Sequence, residues 1–124
     1  MKPENAIVDK NGYLRLIDMG AAKKLSESNG YRTFTVIGTP HYMAPEVIDG
    51  KGYSLEVDIW SIGIMLYEMV CGYLPFGEDE EDGYEIYRII TEQKKVKFPK
   101  FYKNEKGKAL IDRLLKINPS ERSI

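Results

Sequence analysis

Residues 55–71 constrain the fold more than any other segment, because they carry apolar side chains on nearly every face of a helix. Gly72 follows as the predicted C-terminal cap. A helix that is apolar all round lies in the interior of a sizeable protein, surrounded by other elements. The segment is too short for a clean membrane span, and acidic residues interrupt it at Glu56, Asp58 and Glu68. It therefore predicts a buried central helix.

The rest of the sequence predicts one β-hairpin and a few shorter helices. Residues 6–8 and 13–17 are apolar runs joined by Asp9-Lys10-Asn11-Gly12, and an Asn-Gly pair there is a hairpin signal because both residues tolerate positive φ. Residues 18–42 have no sustained period and predict a long irregular loop. Helices are expected near residues 44–48, 82–92 and 104–116. These elements are too few to cover the central helix, so we expect that further helices complete the domain.

Composition excludes several function classes. The 124 residues have a formal net charge of -1, with 43% hydrophobic and 30% charged residues, which argues against a nucleic-acid binder and against a disordered chain. Cys71 is the single cysteine and His41 the single histidine, so neither an internal disulfide nor a histidine metal site is expected. No apolar run forms a signal peptide or a membrane span. A cytoplasmic protein is the resulting expectation.

Three short motifs occur in a fixed order: Lys2-Pro3-Glu4-Asn5, Asp18-Met19-Gly20 and Ala44-Pro45-Glu46. Each alone is a weak signal, but together, with the hairpin between the first two, they resemble the protein-kinase signature set. The resemblance continues along essentially the whole chain, through residues 38–46, 57–63, 74–76 and 118–122. Within the kinases, residues 33–40 and 97–99 resemble the cyclic-nucleotide-dependent branch of the AGC group. Residues 41–45 and 71–77 are most similar to cGMP-dependent protein kinases.

The resemblance implies an incomplete α+β fold, the mainly helical large lobe of a protein kinase with one short β-hairpin. Residues 1–124 would form a partial kinase domain that lacks the small lobe. Residues 1–17 would hold the end of the catalytic loop and the hairpin, and residues 18–46 the metal-binding motif and the activation and substrate-docking loop. Residues 47–124 would form the helical part.

The resemblance also implies ATP and Mg²⁺ as cofactors. Asp18 would hold Mg²⁺, Asn5 would serve the second metal position, and Lys2 would lie near the γ-phosphate. Oxygen ligands of this kind suit Mg²⁺. Ile7 would help form the apolar floor under the adenine, together with Met65 and Met69. The alternative is that the three polar residues are ordinary residues that flank a hairpin, and that the three apolar residues pack in the hydrophobic core.

Further residues acquire roles by the same resemblance. Thr35 would be the activation-loop phosphosite, paired through its phosphate with Lys23, although a threonine on a mobile surface loop is the alternative. Glu46 and Arg122 would form a buried ion pair. Asp58 would accept backbone N–H groups of the catalytic loop or cap its own helix. Substrate binding is expected at Glu4, Thr39, Tyr42 and Glu68.

The sequence departs from the family pattern in what it lacks. In kinases His-Arg-Asp stands directly before the residue aligned with Met1. The Gly-rich loop over the phosphates, the β3 lysine and the glutamate that pairs with this lysine are also expected to be absent here. Met19 occupies a position that is usually phenylalanine. We therefore expect this stretch alone to be inactive. The substrates of the kinase to which it belongs are expected to be proteins with basic residues upstream of Ser/Thr. The missing small lobe and a cyclic-nucleotide-binding region would be further partners. The alternatives are a non-catalytic kinase-like scaffold, a truncated gene product, or an unrelated helical binding domain.

Overall fold

The computed structural model describes residues 1–34 and 38–123 and confirms a small α+β fold. Strands β1 (Ala6–Val8) and β2 (Leu14–Leu16) form an antiparallel pair, and four α-helices follow. The helices are α1 (Pro45–Ile48), α2 (Glu56–Cys71), α3 (Gly83–Gln93) and α4 (Glu105–Leu114). Short 3-10 helices occupy Pro3–Asn5, Glu27–Asn29, Pro40–Tyr42 and Pro119–Glu121. Each predicted helix and the predicted hairpin are present.

The hairpin forms, but its turn differs from the predicted Asn-Gly geometry. Gly12 has a positive φ of 85°, whereas Asn11 does not. The Asp9 carboxylate organises the loop, because it accepts hydrogen bonds from the backbone N–H groups of Asn11 and Tyr13 at 2.9 and 3.0 Å. The Tyr13 N–H, together with the guanidinium of Arg15, holds the pKa of Asp9 below its usual range. An Asx turn therefore replaces the expected two-residue turn.

Helix α2 is the centre of the hydrophobic core, as predicted. Trp60 is fully buried, its ring lies 5.9 Å from that of Phe76, and the Arg122 guanidinium lies 5.0 Å from the Trp60 ring centroid. Gly63 allows α4 to approach closely, since a Cβ there would come within 2.7 Å of a Leu115 methyl carbon. The other fully or nearly fully buried apolar residues that pack in this core are Ala44, Val47, Ile64, Tyr67, Cys71, Ile86, Ile90 and Ile111.

The described elements cover only part of α2. Ile62 is 40% exposed and Met69 is 63% exposed, so one stripe of the helix faces solvent. This exposure agrees with the expectation that the predicted elements are too few to surround an all-apolar helix. Among the described residues no helix combines the length and apolar character needed to cross a membrane.

A short backbone bridge connects the irregular segment after the hairpin to the residues that precede α2. Thr33 and Tyr53 form an isolated antiparallel bridge, with N–O distances of 3.0 and 2.9 Å. The Lys23 ammonium donates to the Thr33 hydroxyl at 2.8 Å. Thr33 is 4% exposed, so this bond anchors the loop on a buried point.

Candidate functional site

A cleft of about 360 Å³ brings together Lys2, Asn5 and Asp18, the residues that the sequence proposed for nucleotide and metal binding. Its opposite wall belongs to the loop before α1 and to the first turns of α2. The remaining residues that line it are Met1, Ala21, Gly38, Thr39, Tyr42, Met43, Ala44, Val47, Tyr53, Val57, Asp58 and Ser61.

The hairpin places Asn5 beside Asp18 although the two lie far apart in sequence. The backbone N–H of Ile17 donates to the Asn5 carbonyl at 2.9 Å, which extends the strand pairing by one step toward the cleft. Asp18 directly follows and has a φ of 60°, in the left-handed region that residues other than glycine rarely adopt. Its Oδ1 accepts the Gly20 N–H at 3.0 Å. An Asx turn therefore fixes the carboxylate in this unusual backbone position.

Lys2 is held at the edge of the cleft by two neighbours. Its Nζ lies 3.2 Å from a carboxylate oxygen of Glu4 and 3.5 Å from the Thr39 hydroxyl oxygen. The second contact joins the amino-terminal segment to the loop before α1, and it is at the long end of the hydrogen-bond range. One-third of the Lys2 side chain remains exposed, so the ammonium stays accessible from the cleft.

Tyr42 connects the cleft to a carboxylate on α2. Its hydroxyl donates to Glu68 Oε2 at 2.8 Å. Burial raises the pKa of Tyr42 above its ordinary value, and the hydrogen bond and negative charge of Glu68 raise this pKa further. The Ser61 hydroxyl donates to the Tyr42 carbonyl at 2.9 Å, which fixes the backbone of the same residue. Sequence reasoning did not identify Ser61, and its signal was a hydroxyl in an otherwise apolar helix.

Glu46 and Arg122 lie together outside the cleft as a buried ion pair. The two guanidinium nitrogens lie 2.5 and 2.7 Å from the two carboxylate oxygens. The Glu46 side chain is 10% exposed and the Arg122 side chain is 0% exposed. Arg122 also donates to the carbonyls of Glu56, Lys116 and Ile117. The pair therefore ties the start of α1 to α2 and to the segment after α4.

The structure gives Asp58 and Ile7 surroundings that differ from those that the sequence predicted. Asp58 lines the cleft, but it is exposed and accepts no hydrogen bond from any described residue. It does not cap α2, whose N-cap is Leu55 without a side-chain bond. Ile7 pairs with Arg15 in the hairpin, is 47% exposed and is not among the residues that line the cleft.

The remaining candidates include residues outside the cleft and outside the described ranges. Met65 is buried at 7% exposure, whereas Met69 is largely exposed, and neither lines the cleft. Thr35 lies outside the described residues, and its expected partner Lys23 donates to the Thr33 hydroxyl. In the ranges 1–34 and 38–123, no cluster of three or more His, Cys, Asp or Glu side chains could hold a metal. Any metal here would depend on the amide and carboxylate of Asn5 and Asp18.

His41 and Cys71 take structural positions. The imidazole Nε2 of His41 lies 3.2 Å from the Gly77 carbonyl oxygen, so the 3-10 helix Pro40–Tyr42 is fastened to the loop after α2. Cys71 is a buried free thiol, and burial raises its pKa above the ordinary value. A thiol with a raised pKa is a poor nucleophile, so cysteine catalysis has no support here.

Comparison with known proteins gives one family and a consistent set of relatives. The family described as a protein kinase domain matches residues 1–123. The cGMP-dependent protein kinase of Plasmodium berghei (strain Anka) is 52% identical over 123 residues, and that of Toxoplasma gondii is 50% identical over 122 residues. Human cGMP-dependent protein kinase 2 is 45% identical over 123 residues.

The alignments cover almost all of this chain but little of each relative. Each includes 98% of the chain, against 14% of the Plasmodium protein, 12% of the Toxoplasma protein and 16% of the human protein. The chain thus corresponds to a small part of each of these proteins.

Proposed function

The chain belongs to the protein kinase family, and on that premise we propose that it supplies the metal-binding and phosphate-binding side of a Ser/Thr kinase active site. The complete protein would transfer the γ-phosphoryl group of MgATP to protein Ser/Thr hydroxyls. The observation that carries this proposal is that Lys2, Asn5 and Asp18 line one cleft. A non-catalytic scaffold would not require an ammonium, an amide and a carboxylate at one place.

The residues present fit a magnesium-nucleotide complex. Carboxylate and amide oxygens are hard ligands of the kind Mg²⁺ prefers, and Asp18 and Asn5 provide one of each. Asp18 uses Oδ1 for its Asx turn, and among the described residues no donor binds Oδ2, so that oxygen is free to act as a ligand. Asp18 and Asn5 would hold the Mg²⁺ ion, which would supply positive charge to neutralise the phosphates.

Lys2 would contribute a positive charge close to the transferred group. Glu4 and Thr39 orient its ammonium from two sides, which reduces the conformational freedom that it must lose on binding. An ammonium so placed stabilises negative charge on the phosphoryl oxygens in the transition state. Thr39 acts here as a positioning residue, because it contacts Lys2 and not the reacting atoms.

Acidic groups beside the cleft favour a basic protein substrate. Glu4 is largely exposed and lies 3.2 Å from the Lys2 ammonium, and Glu68 accepts a hydrogen bond from the Tyr42 hydroxyl. The negative charges of both carboxylates raise the pKa of Tyr42. We infer that they bind arginine or lysine upstream of the acceptor. We also propose regulation by cGMP, which the names of the relatives support, and a cytoplasmic location.

The described residues alone are expected to be catalytically silent. Positioning of reactants supplies about 7–11 kcal/mol of a typical barrier, and the described residues do not include the His-Arg-Asp motif whose carboxylate is the base in kinases. The 124-residue chain should therefore show no metal-dependent turnover of an arginine-rich peptide. Turnover by this chain alone would contradict the assignment of roles.

The proposal is tested in the full-length protein that contains this sequence. Asp18→Asn should lower kcat for an arginine-containing peptide by at least about a hundredfold, and should weaken the binding of a fluorescent ATP analogue in the presence of Mg²⁺. Asp9→Asn is the matched control, because that carboxylate bonds residues of the hairpin, Asn11, Tyr13 and Arg15, and does not line the cleft, so kcat of this variant should equal that of the wild type.

Two results would support the scaffold alternative instead. One is a full-length protein without cGMP-stimulated phosphoryl transfer. The other is an Asp18→Asn variant whose Mg²⁺-dependent nucleotide binding equals that of the wild type.

A further inference from the structure

We propose that Ser61 is a positioning residue for the recognition of basic substrates. It fixes the backbone of Tyr42, and Tyr42 in turn holds the Glu68 carboxylate in the orientation in which it receives a basic side chain. This inference rests on the proposed function, which assigns Glu68 to the binding of a basic residue upstream of the acceptor. Ser61 is 5% exposed and acts through Tyr42, not by contact with the substrate.

The Ser61 hydroxyl joins α2 to another segment of the chain. Its oxygen lies 2.9 Å from the Tyr42 carbonyl oxygen and 3.1 Å from the carbonyl oxygen of Val57, four residues earlier on α2. A bond to Val57 alone would satisfy a hydroxyl that is buried in a helix. The shorter contact to Tyr42 therefore adds a connection to the 3-10 helix Pro40–Tyr42 that burial of the hydroxyl does not require.

The Tyr42 carbonyl needs a donor from outside its own segment. It lies at the end of the 3-10 helix Pro40–Tyr42, and the residue three positions later is Pro45, which has no N–H to continue the hydrogen-bond pattern. Among the described residues no backbone N–H donates to this carbonyl. The Ser61 hydroxyl takes the place of the missing backbone donor.

One face of α2 holds Tyr42 at both ends. Ser61 and Glu68 are seven residues apart, which is close to two helical turns, so their side chains lie on the same face. Ser61 bonds the main-chain carbonyl of Tyr42, and Glu68 Oε2 accepts the tyrosine hydroxyl at 2.8 Å. A tyrosine ring is rigid and turns about two bonds only, so its hydroxyl follows the backbone. Loss of the Ser61 bond should therefore displace the group that orients Glu68.

Glu68 keeps one oxygen for a substrate. The Tyr42 hydroxyl uses Oε2, and no donor in the ranges 1–34 and 38–123 binds Oε1. A carboxylate oxygen in this position accepts a charge-assisted hydrogen bond from a guanidinium or an ammonium group. Because Tyr42 already restricts the Glu68 side chain, that side chain loses less conformational freedom when the substrate binds.

A purely structural role for Ser61 predicts a different outcome. General loosening of the fold would weaken the binding of all peptides alike, whether or not they carry a basic residue. Thr91 offers the comparison, because its hydroxyl also lies in a helix but bonds only carbonyls of that helix, those of Tyr87 and Arg88. An effect that is specific to Ser61 and to basic peptides therefore identifies positioning.

The experiment uses the full-length protein that contains this sequence and two peptides that differ only at the second and third positions before the acceptor serine. One peptide carries arginine at both positions and the other carries alanine. Ser61→Ala should raise KM for the arginine peptide about fivefold, and should change kcat and the KM of the alanine peptide by less than about twofold.

Three further variants accompany Ser61→Ala. Ser61→Thr keeps the hydroxyl and should restore the wild-type KM for the arginine peptide. Ser61→Cys, in which a weakly donating thiol fills the same space, serves as a second non-bonding variant and should raise this KM in the same direction. Thr91→Ala is the matched control and should leave the KM of both peptides unchanged.

A double-mutant cycle tests whether Ser61 acts through Glu68. Glu68→Ala alone should raise KM for the arginine peptide, and the addition of Ser61→Ala should change this raised value by less than about twofold. A further fivefold increase in the Glu68→Ala background would overturn the proposal, since Ser61 would then act on another part of the site.

Failure of this inference is distinguishable from failure of the proposed function. If the wild type prefers the arginine peptide and Ser61→Ala keeps the wild-type KM, the inference is overturned and the proposed function stands. An equal rise in KM for both peptides also overturns the inference alone. A wild type that phosphorylates neither peptide, or that shows no preference between them, overturns the proposed function together with the inference.

Discussion

The region before Gly38 and the helical region after it differ in what their residues do. In the amino-terminal region the hairpin strands are exposed on both faces, and Thr33 alone is classed as buried among the side chains described there. In the helical region, by contrast, Trp60, Tyr67, Ile86 and Ile111 are at most 1% exposed. Lys2, Asn5 and Asp18 all lie in the first region. Chemistry and stability are thus concentrated in different parts of the molecule.

This difference has a physical origin. A metal and phosphate site needs polar groups with unsatisfied bonding capacity, and burying such groups costs free energy unless they are paired. A hydrophobic core needs the opposite composition. Helix α2 contributes to both, since Ile64 packs in the core while Ser61 and Glu68 bond Tyr42, which lines the cleft. Substitutions in the two regions should therefore separate stability from binding.

The largest effect is expected at the buried ion pair. Glu46→Ala strands the Arg122 guanidinium, whose side chain is 0% exposed, and should lower the free energy of unfolding by about 3–5 kcal/mol. Urea denaturation followed by circular dichroism measures this change. Glu92→Ala is the matched control, because that carboxylate is exposed at the end of α3, and its effect should stay within about 0.5 kcal/mol. Equal effects of the two substitutions would show that the pair does not stabilise the fold.

The second prediction compares equivalent truncations in the two regions. Ile111→Ala removes methyl and methylene groups from a fully buried position where α4 packs on α2, and should cost about 3 kcal/mol. Val8→Ala removes two methyl carbons from a strand residue that is 67% exposed, and should cost less than about 0.5 kcal/mol. Urea denaturation read by the fluorescence of the single tryptophan, Trp60, measures both. A larger loss at Val8 would refute the division between the regions.

Much of the fold could be predicted from local pattern. Continuous apolar character specified α2, Gly72 specified its end through a left-handed cap with φ of 85°, and Asp82 and Asn104 proved to be side-chain caps of α3 and α4. The hairpin turn was predicted in place but not in geometry. The Asn11-Gly12 pair predicted where the turn lies. It could not show that the Asp9 carboxylate accepts hydrogen bonds from the backbone N–H groups of the turn.

The site was predictable only where residues form ordered motifs. Lys2, Asn5 and Asp18 could be grouped because a hairpin between motifs brings its two ends together, and the cleft contains all three. The role of Ser61 depends on a hydrogen bond between residues distant in sequence, and no local pattern encodes it. The surroundings of Asp58 and Ile7 likewise depend on tertiary packing, which a single sequence does not reveal.

The smallest effect is expected at Tyr42, where the two regions meet. Tyr42→Phe removes the hydrogen bond to Glu68 and should cost about 1 kcal/mol near neutral pH, because the bond is only half-buried. The folded-state pKa of Tyr42 lies above its unfolded value of 10.0, so the folded state retains the proton more strongly. This contribution is fully present below about pH 10 and is lost as the pH rises above it.

The cost of Tyr42→Phe should therefore shrink between pH 8 and pH 11, by about 1 kcal/mol, as ionisation of the unfolded tyrosine removes the wild-type advantage. Tyr67, whose pKa is also raised by burial, is present in both proteins and cancels in the difference. Denaturation curves of wild type and variant across this range measure it. A cost that stays constant up to pH 11 would mean that Glu68 does not hold the Tyr42 proton. The cleft and the helical core would then lack the polar link that joins them at this position.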